Sequence, residues 1–163
     1  MRVLGIDPGS RKLGWGVVER RGSKSVAIAA GVVTLDPQTP LSARLARVFQ
    51  QVEAMIEDHA PDVVAVEDIF FARHPSAAIA LGHVRGVVLL AAERAQRPIT
   101  QWPPALVKRT VAGRGAADKS QIGRIVAATL GLGSVPPVDA ADALAIALTH
   151  LASMHAFHPP TGA

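Results

Sequence analysis

Residues 3–10 read VLGIDPGS, and this stretch decides how the first part of the chain folds. An apolar run ending at Ile6 is typical of a buried β-strand, and Asp7 and Pro8-Gly9 follow it directly. Asp is favoured at the first position of a β-turn, and Pro-Gly suits the two central positions of a type II turn. Asp7 is therefore either a turn residue or a reactive carboxylate held at a strand end, and the octapeptide alone favours the turn.

Five apolar segments predict the strands of one sheet, because each is rich in Val, Ile or Leu. Short turn-like spacers separate the first three, which favours an antiparallel meander. Helix-like segments precede the last two, which favours parallel pairing. The five segments are residues 2–7, 13–19, 25–35, 62–67 and 98–102.

Apolar residues at helical spacing predict helices that begin near residues 41, 76, 118 and 139. Thr39 is the predicted N-cap of the first helix, and Asp118 with Gln121 has the pattern of a capping box. The segment 103–117 is basic and contains glycine, so it is predicted to be a connector. Together these elements predict an α/β domain in which helices cover both faces of a five-stranded mixed sheet.

The length and composition limit the possible classes of protein. A chain of 163 residues suffices for one core, so we predict one domain over residues 1–154 and a disordered tail over 155–163. The absence of cysteine excludes disulfides and thiolate metal sites and suits a reducing cytoplasm. No segment approaches the ~18 uncharged apolar residues of a membrane span, and the N-terminus reads as a strand. We therefore expect a soluble cytoplasmic protein.

Four carboxylates stand at strand or helix ends: Asp7, Glu67, Asp139 and Asp142. If the first and fourth strands are parallel neighbours, Asp7 and Glu67 lie at the same end of the sheet, where α/β sheets commonly place their ligands. Positions three apart share a helix face, so Asp139 and Asp142 can converge on one point. Taken singly, each acid also fits a structural role as a solvated strand end or a helix cap.

Taken together, four carboxylates at one place would repel each other strongly. Divalent cations remove that conflict, and Mg²⁺ prefers oxygen ligands. Two such ions about 3.5–4 Å apart activate a water and stabilise the leaving oxygen of a phosphodiester. The acids therefore indicate a nuclease.

The distribution of positive charge agrees with an anionic substrate. The chain has 17 Lys and Arg against 13 Asp and Glu, so without those four acids nine remain and the excess is +8. Lys108 and the segment 109–120 concentrate several of these cations before a helix N-terminus. A run of charge is usually a solvated surface, but cations beside an acidic site favour contacts with phosphates.

Four blocks of the sequence, in this order, resemble those of the RuvC family of Holliday-junction resolvases. The blocks are GIDPGSRKLGWGVV (5–18), VAVEDIFFARHPSAAIALGHVRGVVL (64–89), WPPALVKRTVAGRGAADKSQIGRIV (102–126) and DAADALAIALTHL (139–151). The resemblance covers the chain from residue 1 to about residue 151. It implies a ribonuclease-H-like three-layer fold, a homodimer, and Mg²⁺-dependent paired nicks in opposing strands of a four-way DNA junction during recombination and repair.

The resemblance also implies roles for particular residues. The family's metal-binding acids match Asp7, Glu67, Asp139 and Asp142, although some members have His at the position of Asp139. Its lysines next to the DNA phosphates match Lys108 and Lys119, and its aromatic residue at the junction crossover matches Phe70. Mn²⁺ is an expected substitute for Mg²⁺, and the RuvA–RuvB branch-migration complex is an expected partner.

Alternatives from other classes stay open at this point. The DPGS motif also resembles the phosphate-binding hairpin of actin-like and sugar-kinase-like ATPases, but those proteins need two related domains around the nucleotide. A non-catalytic nucleic-acid-binding module would explain the basic excess and leave the four acids unexplained. A ribonuclease-H-like site acting on an RNA–DNA hybrid or another branched DNA would keep the chemistry and change the substrate. For Phe70, the local sequence fits a lid over the core equally well.

Overall fold

The computed structural model describes residues 1–68, 75–113 and 118–156. Within these residues the strands and helices follow the predicted order, with one helix added. The strands are β1 (Arg2–Asp7), β2 (Lys12–Arg21), β3 (Lys24–Thr34), β4 (Val63–Glu67) and β5 (Ile99–Trp102). The helices are α1 (Leu41–His59), α2 (Pro75–Arg94), α3 (Pro104–Ala112), α4 (Lys119–Leu130) and α5 (Val138–Ala156).

The five strands form one mixed sheet in the order β3-β2-β1-β4-β5, which confirms the predicted architecture. β2 pairs antiparallel with both β1 and β3. β1 runs parallel to β4 with Ile6 opposite Val66, and β4 runs parallel to β5. The carboxyl ends of β1 and β4 therefore lie side by side, as expected if Asp7 and Glu67 serve one site.

Helices cover both faces of the sheet, and each face has its own apolar core. On the first face, Leu4 and Ile6 pack among buried residues of α1 and α2. On the second face, Val3 and Ala65 pack among buried residues of α3, α4 and α5. Successive side chains of a strand point to opposite faces, so Asp7 and Glu67 lie on the face that α5 covers.

Two local predictions were wrong. The segment predicted as a connector contains α3, because Pro104 suits the first turn of a helix and Val107 is buried in the second core, while Gly113 ends the helix in a left-handed conformation. Thr39 is not the N-cap of α1, since the helix begins one residue later and Pro40 takes the flanking position without a side-chain cap.

The predicted capping box of α4 is confirmed. The Gln121 backbone N–H donates to Oδ1 of Asp118 at 2.8 Å, and the Asp118 backbone N–H donates to the Gln121 side chain at 3.3 Å. The hydrogen bonds from the Gln121 backbone and the Ser120 hydroxyl hold the pKa of Asp118 below its ordinary value. This cap fixes where α4 begins, at Lys119.

The C-terminal helix extends further than predicted. α5 runs to Ala156, two residues into the predicted tail, and residues 157–163 lie outside the described part of the chain. Among the helices of the described residues, none is both long enough and apolar enough to cross a bilayer.

Candidate active site

Asp7 and Glu67 are the last residues of two neighbouring parallel strands. Each follows a buried apolar run, Val3 to Ile6 in β1 and Val63 to Val66 in β4, so the strands are held rigidly up to the acid. Both carboxylates are half-buried and lie on the α5 face. The sheet therefore presents two acids at one edge, next to each other.

Helix α5 approaches this edge closely because glycines of β1 and β2 face it. A Cβ added at Gly5 would lie 2.1 Å from the carbonyl oxygen of Ala143, and one added at Gly14 would lie 1.9 Å from that of Asp139. No side chain larger than hydrogen fits at either position without displacing the helix backbone. Since Gly14 pairs with Asp7 across the sheet, the first turn of α5 is fixed beside Asp7.

A cleft of about 250 Å³ opens at this place. Three of the four predicted acids line it, each from a different element: Asp7 from β1, Glu67 from β4 and Asp142 from α5. The fourth, Asp139, lies next to the cleft, where its backbone and Cβ pack over Gly14. Asp7, Glu67 and Asp142 therefore line one cleft. Asp139 lies against Gly14 of β2.

The remaining wall of the cleft comes from α3 and α4. Among the described residues, Lys108 of α3 is the one cation that lines it, together with Pro104, Val107 and Ile122. Burial of Val107 in the second core holds α3 beside α4 and α5, and the next residue, Lys108, lines the same cleft as the acids. The sequence identified Lys108 but assigned it to a connector, and the three apolar wall residues carried no chemical signal that would have singled them out.

The donor set of the cleft fits a hard divalent cation. Its acids offer only carboxylate oxygens, and the chain has no cysteine. Within the described residues no three His, Asp or Glu side chains are gathered around a single ion position. A hard divalent cation that keeps several of its waters can bind through one or two carboxylates, which the oxygen donors of this cleft allow.

A partly buried cluster of Thr100, Trp102 and His150 supports the strand beside Glu67. Trp102 of β5 pairs in register with Glu67, and its indole lies edge-on to His150 of α5, with ring centroids 6.0 Å apart. The hydroxyl of Thr100 lies 3.2 Å from Nδ1 of the same imidazole. Burial lowers the pKa of His150 from its ordinary 6.5, which favours the neutral ring. Sequence reasoning missed this cluster, because a single His on an apolar helix has no diagnostic spacing.

Two other predicted site residues fall where the structure describes little or nothing. Phe70 lies in the segment 69–74, outside the described residues. Lys119 is the first residue of α4, directly after the Asp118 cap, and its side chain also lies outside the described part. Their roles stay predictions.

The sheet order and the carboxylates at the ends of β1 and β4 define the ribonuclease-H-like class of fold. The family model described as Crossover junction endodeoxyribonuclease RuvC matches residues 3–150. The chain therefore belongs to the RuvC family of crossover junction endodeoxyribonucleases.

Individual relatives agree with this assignment. The chain is 52% identical to the crossover junction endodeoxyribonuclease RuvC of Sorangium cellulosum, with 94% of this chain and 86% of the relative covered. It is 46% identical to that of Maricaulis maris, with 92% and 90% covered. The structure of Thermus thermophilus RuvC in complex with a Holliday junction substrate matches with a TM-score of 0.88 at 37% identity, covering 96% of this chain and 97% of that one.

Proposed function

We propose that this protein resolves four-way DNA junctions by hydrolysing phosphodiester bonds in opposing strands, in recombination and DNA repair in the cytoplasm. The observation that carries the proposal is the cleft where Asp7, Glu67 and Asp142 meet Lys108. The Thermus relative, solved with a Holliday junction substrate, supports the choice of substrate. Family membership favours a nuclease over the ATPase and over the non-catalytic binding module.

The three cleft acids, with Asp139 beside them, are the residues that would hold Mg²⁺, two ions in each active site, with Mn²⁺ as a substitute. Bound there, such ions supply an activated water and charge stabilisation at the leaving oxygen. The half-buried carboxylates at the rigid ends of β1 and β4 fix the positions of the oxygen ligands before substrate arrives.

Lys108 is proposed to hold a phosphate oxygen beside the scissile bond. This residue lines the same cleft as the acids, where a positive charge would offset the negative charge of the DNA backbone. Lys119, at the start of α4, is proposed to contact a neighbouring phosphate. Phe70, three residues after Glu67, is proposed to stack on a base at the junction crossover.

We further propose a homodimer formed through the outer surface of α2. One stripe of this helix is exposed and carries no acidic group: Ile79, Gly82, His83, Gly86 and Leu90. Ile79 is 62% exposed and Leu90 is 54% exposed, while the space next to both glycines is open. The glycines between Ile79 and Leu90 would let a second helix approach closely. A two-fold symmetric dimer would supply the two active sites that a two-fold symmetric junction needs.

The interface proposal is tested with Leu90→Asp. This change should dissociate the dimer in sedimentation at micromolar concentration and leave the monomer folded, because Leu90 is exposed, whereas Val87 packs partly against the core. Met154→Asp, at an exposed apolar residue of α5, is the control and should stay dimeric. A wild-type protein that sediments as a stable monomer would contradict the proposal.

The substrate is tested by offering equal amounts of mobile four-way junction, linear duplex and RNA–DNA hybrid with Mg²⁺ and mapping the cuts. We expect paired cuts in opposing strands of the junction and little cutting of the other two. Preferred cutting of the hybrid would favour the alternative ribonuclease-H-like substrate. The RuvA–RuvB complex is a proposed partner on the strength of the family alone.

A further inference from the structure

An arginine behind the active site joins α2 to the strand end that carries Glu67. Nη2 of Arg85 donates to Oδ1 of Asp68 at 3.0 Å. The same nitrogen contacts Oε1 of Gln101 on β5. Asp68 directly follows Glu67, and its backbone N–H donates to the carbonyl oxygen of Trp102 at 2.9 Å. One guanidinium thus ties together the ends of β4 and β5.

This contact lies on the sheet face opposite the cleft. Gln101 alternates with Thr100 and Trp102, which face α5, so its side chain points toward α2. The Arg85 side chain is only 19% exposed and that of Asp68 is 39% exposed, so the pair is partly shielded from water and from salt. A charge pair in this setting restrains its strand end more than a fully exposed one.

The ion pair between Arg85 and Asp68 restrains the residue directly after Glu67. Glu67 is the terminal residue of β4, and the next residue is held by Arg85 on one side and by the Trp102 carbonyl on the other. Loss of the Arg85 contact would leave the Trp102 carbonyl as the remaining one of these two restraints on Asp68, so the Glu67 carboxylate would be held less firmly. The opposite end of this link is α2, the helix whose outer stripe is proposed to meet a second subunit.

We propose that Arg85 is a positioning residue, which fixes the Glu67 carboxylate for metal binding by holding Asp68 and Gln101. The inference rests on the proposed role of Glu67 as a metal ligand. Removal of a residue that orients a metal ligand typically costs 10–100-fold in metal affinity or activity. Since Arg85 acts through the backbone of the neighbouring residue, we expect an effect near the lower end of that range.

The experiment uses the full chain and the variants Arg85→Met, Arg85→Lys and Asp68→Asn. Binding of Mn²⁺ is measured by calorimetry, and single-turnover junction cleavage is measured across a range of Mg²⁺ concentrations. Arg85→Met should weaken Mn²⁺ binding by about tenfold and shift the Mg²⁺ dependence of cleavage by the same factor. Asp68→Asn should change both quantities in the same direction but by less, because the amide oxygen still accepts from Arg85 and only the charge is lost. Excess Mg²⁺ should restore most of the rate. Arg85→Lys should recover only part of the affinity, because an ammonium group lacks the planar fork of the guanidinium.

A matched control is available on the same helix. Arg94 is 65% exposed, lies 3.9 Å from Glu53 and stacks over Phe49, away from the strand ends. Arg94→Met should leave both the Mn²⁺ affinity and the Mg²⁺ dependence unchanged. The double variant of Arg85 and Asp68 should be no worse than Arg85→Met alone, since Arg85→Met already removes the contact with Asp68.

The outcomes separate this inference from the proposed function. If Arg85→Met and Asp68→Asn lower the melting temperature but bind Mn²⁺ like wild type, Arg85 is a stability residue and the inference is wrong. Fully additive losses in the double variant would also overturn it. If Glu67→Gln itself binds Mn²⁺ and cleaves normally, the proposed active site fails. If Glu67→Gln is inactive while the Arg85 variants match wild type, the site stands and only the positioning role fails.

Discussion

The two faces of the sheet are built from the same strands in different ways. Toward α1 and α2, strands β1 and β2 present large apolar side chains: Leu4, Ile6, Leu13 and Val17. Toward α5, the alternate positions include Gly5, Gly14 and Gly16; the helix backbone lies directly on the first two, and the Leu144 side chain lies on Gly16. On the first face, large side chains fill the space between sheet and helices. On the second face, glycines leave room for α5, which carries acids, to lie close to the sheet.

Because neighbouring residues of one strand face opposite sides, one contributes mainly to stability and the next mainly to the active site. A residue facing α1 and α2 contributes buried apolar area, and its loss leaves a cavity. Toward α5, Asp7 carries a carboxylate, and Gly5 and Gly14 make room for the helix that carries Asp142. Substitutions on the two faces should therefore give different ratios of lost activity to lost stability.

The largest effects are expected from the cleft acids. Glu67→Gln and Asp142→Asn should each lose junction cleavage by several orders of magnitude, because a near-isosteric amide removes a charged metal ligand, while junction binding and the melting temperature change little. Asp139→Asn should lose less, since Asp139 packs over Gly14 beside the cleft. Single-turnover rates measured with saturating protein test this order, and an Asp139 variant less active than the Asp142 variant would reverse the assignment.

A smaller but mixed effect is expected from Gly14→Ala. The added Cβ would lie 1.9 Å from the carbonyl oxygen of Asp139, so α5 must move away from β2. Such overpacking costs about 1–3 kcal/mol of unfolding free energy. Cleavage per folded molecule should also fall, because Asp142 moves with the helix. Gly133→Ala, where nothing lies within 4 Å, is the control and should change neither quantity.

Lys108→Gln tests whether the cation of the cleft acts on the substrate. We expect slower cleavage. We also expect the plot of the logarithm of the junction-binding constant against the logarithm of salt concentration to have a slope shallower by about 1, which corresponds to one phosphate contact. Lys24→Gln, at the start of the edge strand β3, is the matched control. An unchanged slope and rate for Lys108→Gln would make this residue a solvated surface lysine.

The smallest effect concerns pH and the buried His150. Burial depresses the pKa of this imidazole in the folded state, so the unfolded chain takes up the proton first as the pH falls. The unfolding free energy should therefore decline as the pH drops below the unfolded value of about 6.5, until the folded state is protonated as well. In His150→Gln, the part of this fall in unfolding free energy that His150 causes should disappear. Denaturant unfolding of both proteins at several pH values between about 7.5 and 5.5 tests this. Equal slopes in the two proteins would exclude His150 as the titrating group.

Part of this arrangement was predictable from the sequence. Apolar runs and their spacers predicted the strands and their pairing, apolar residues at helical spacing predicted the helices, and an acid directly after an apolar run placed Asp7 and Glu67 at strand ends. The pattern did not indicate which helix would lie on Gly5 and Gly14, because a glycine in a strand does not specify its neighbour. For the same reason it placed Asp139 and Asp142 on one helix face without indicating that the backbone of Asp139 would lie against Gly14. α3 was missed because its basic, glycine-containing surroundings outweighed the burial of Val107.

The most direct test compares Asp7→Asn with Ile6→Ala, adjacent residues of β1 that point to opposite faces. Asp7→Asn should keep its unfolding free energy within about 1 kcal/mol of the wild-type value. Its single-turnover rate of junction cleavage should fall by at least about a thousandfold, which corresponds to about 4 kcal/mol of activation free energy at about 1.36 kcal/mol per tenfold. Ile6→Ala should lose about 2–5 kcal/mol of stability and cleave at nearly the wild-type rate per folded molecule. An Asp7→Asn protein that cuts junctions within tenfold of wild type would contradict the assignment of chemistry to the α5 face.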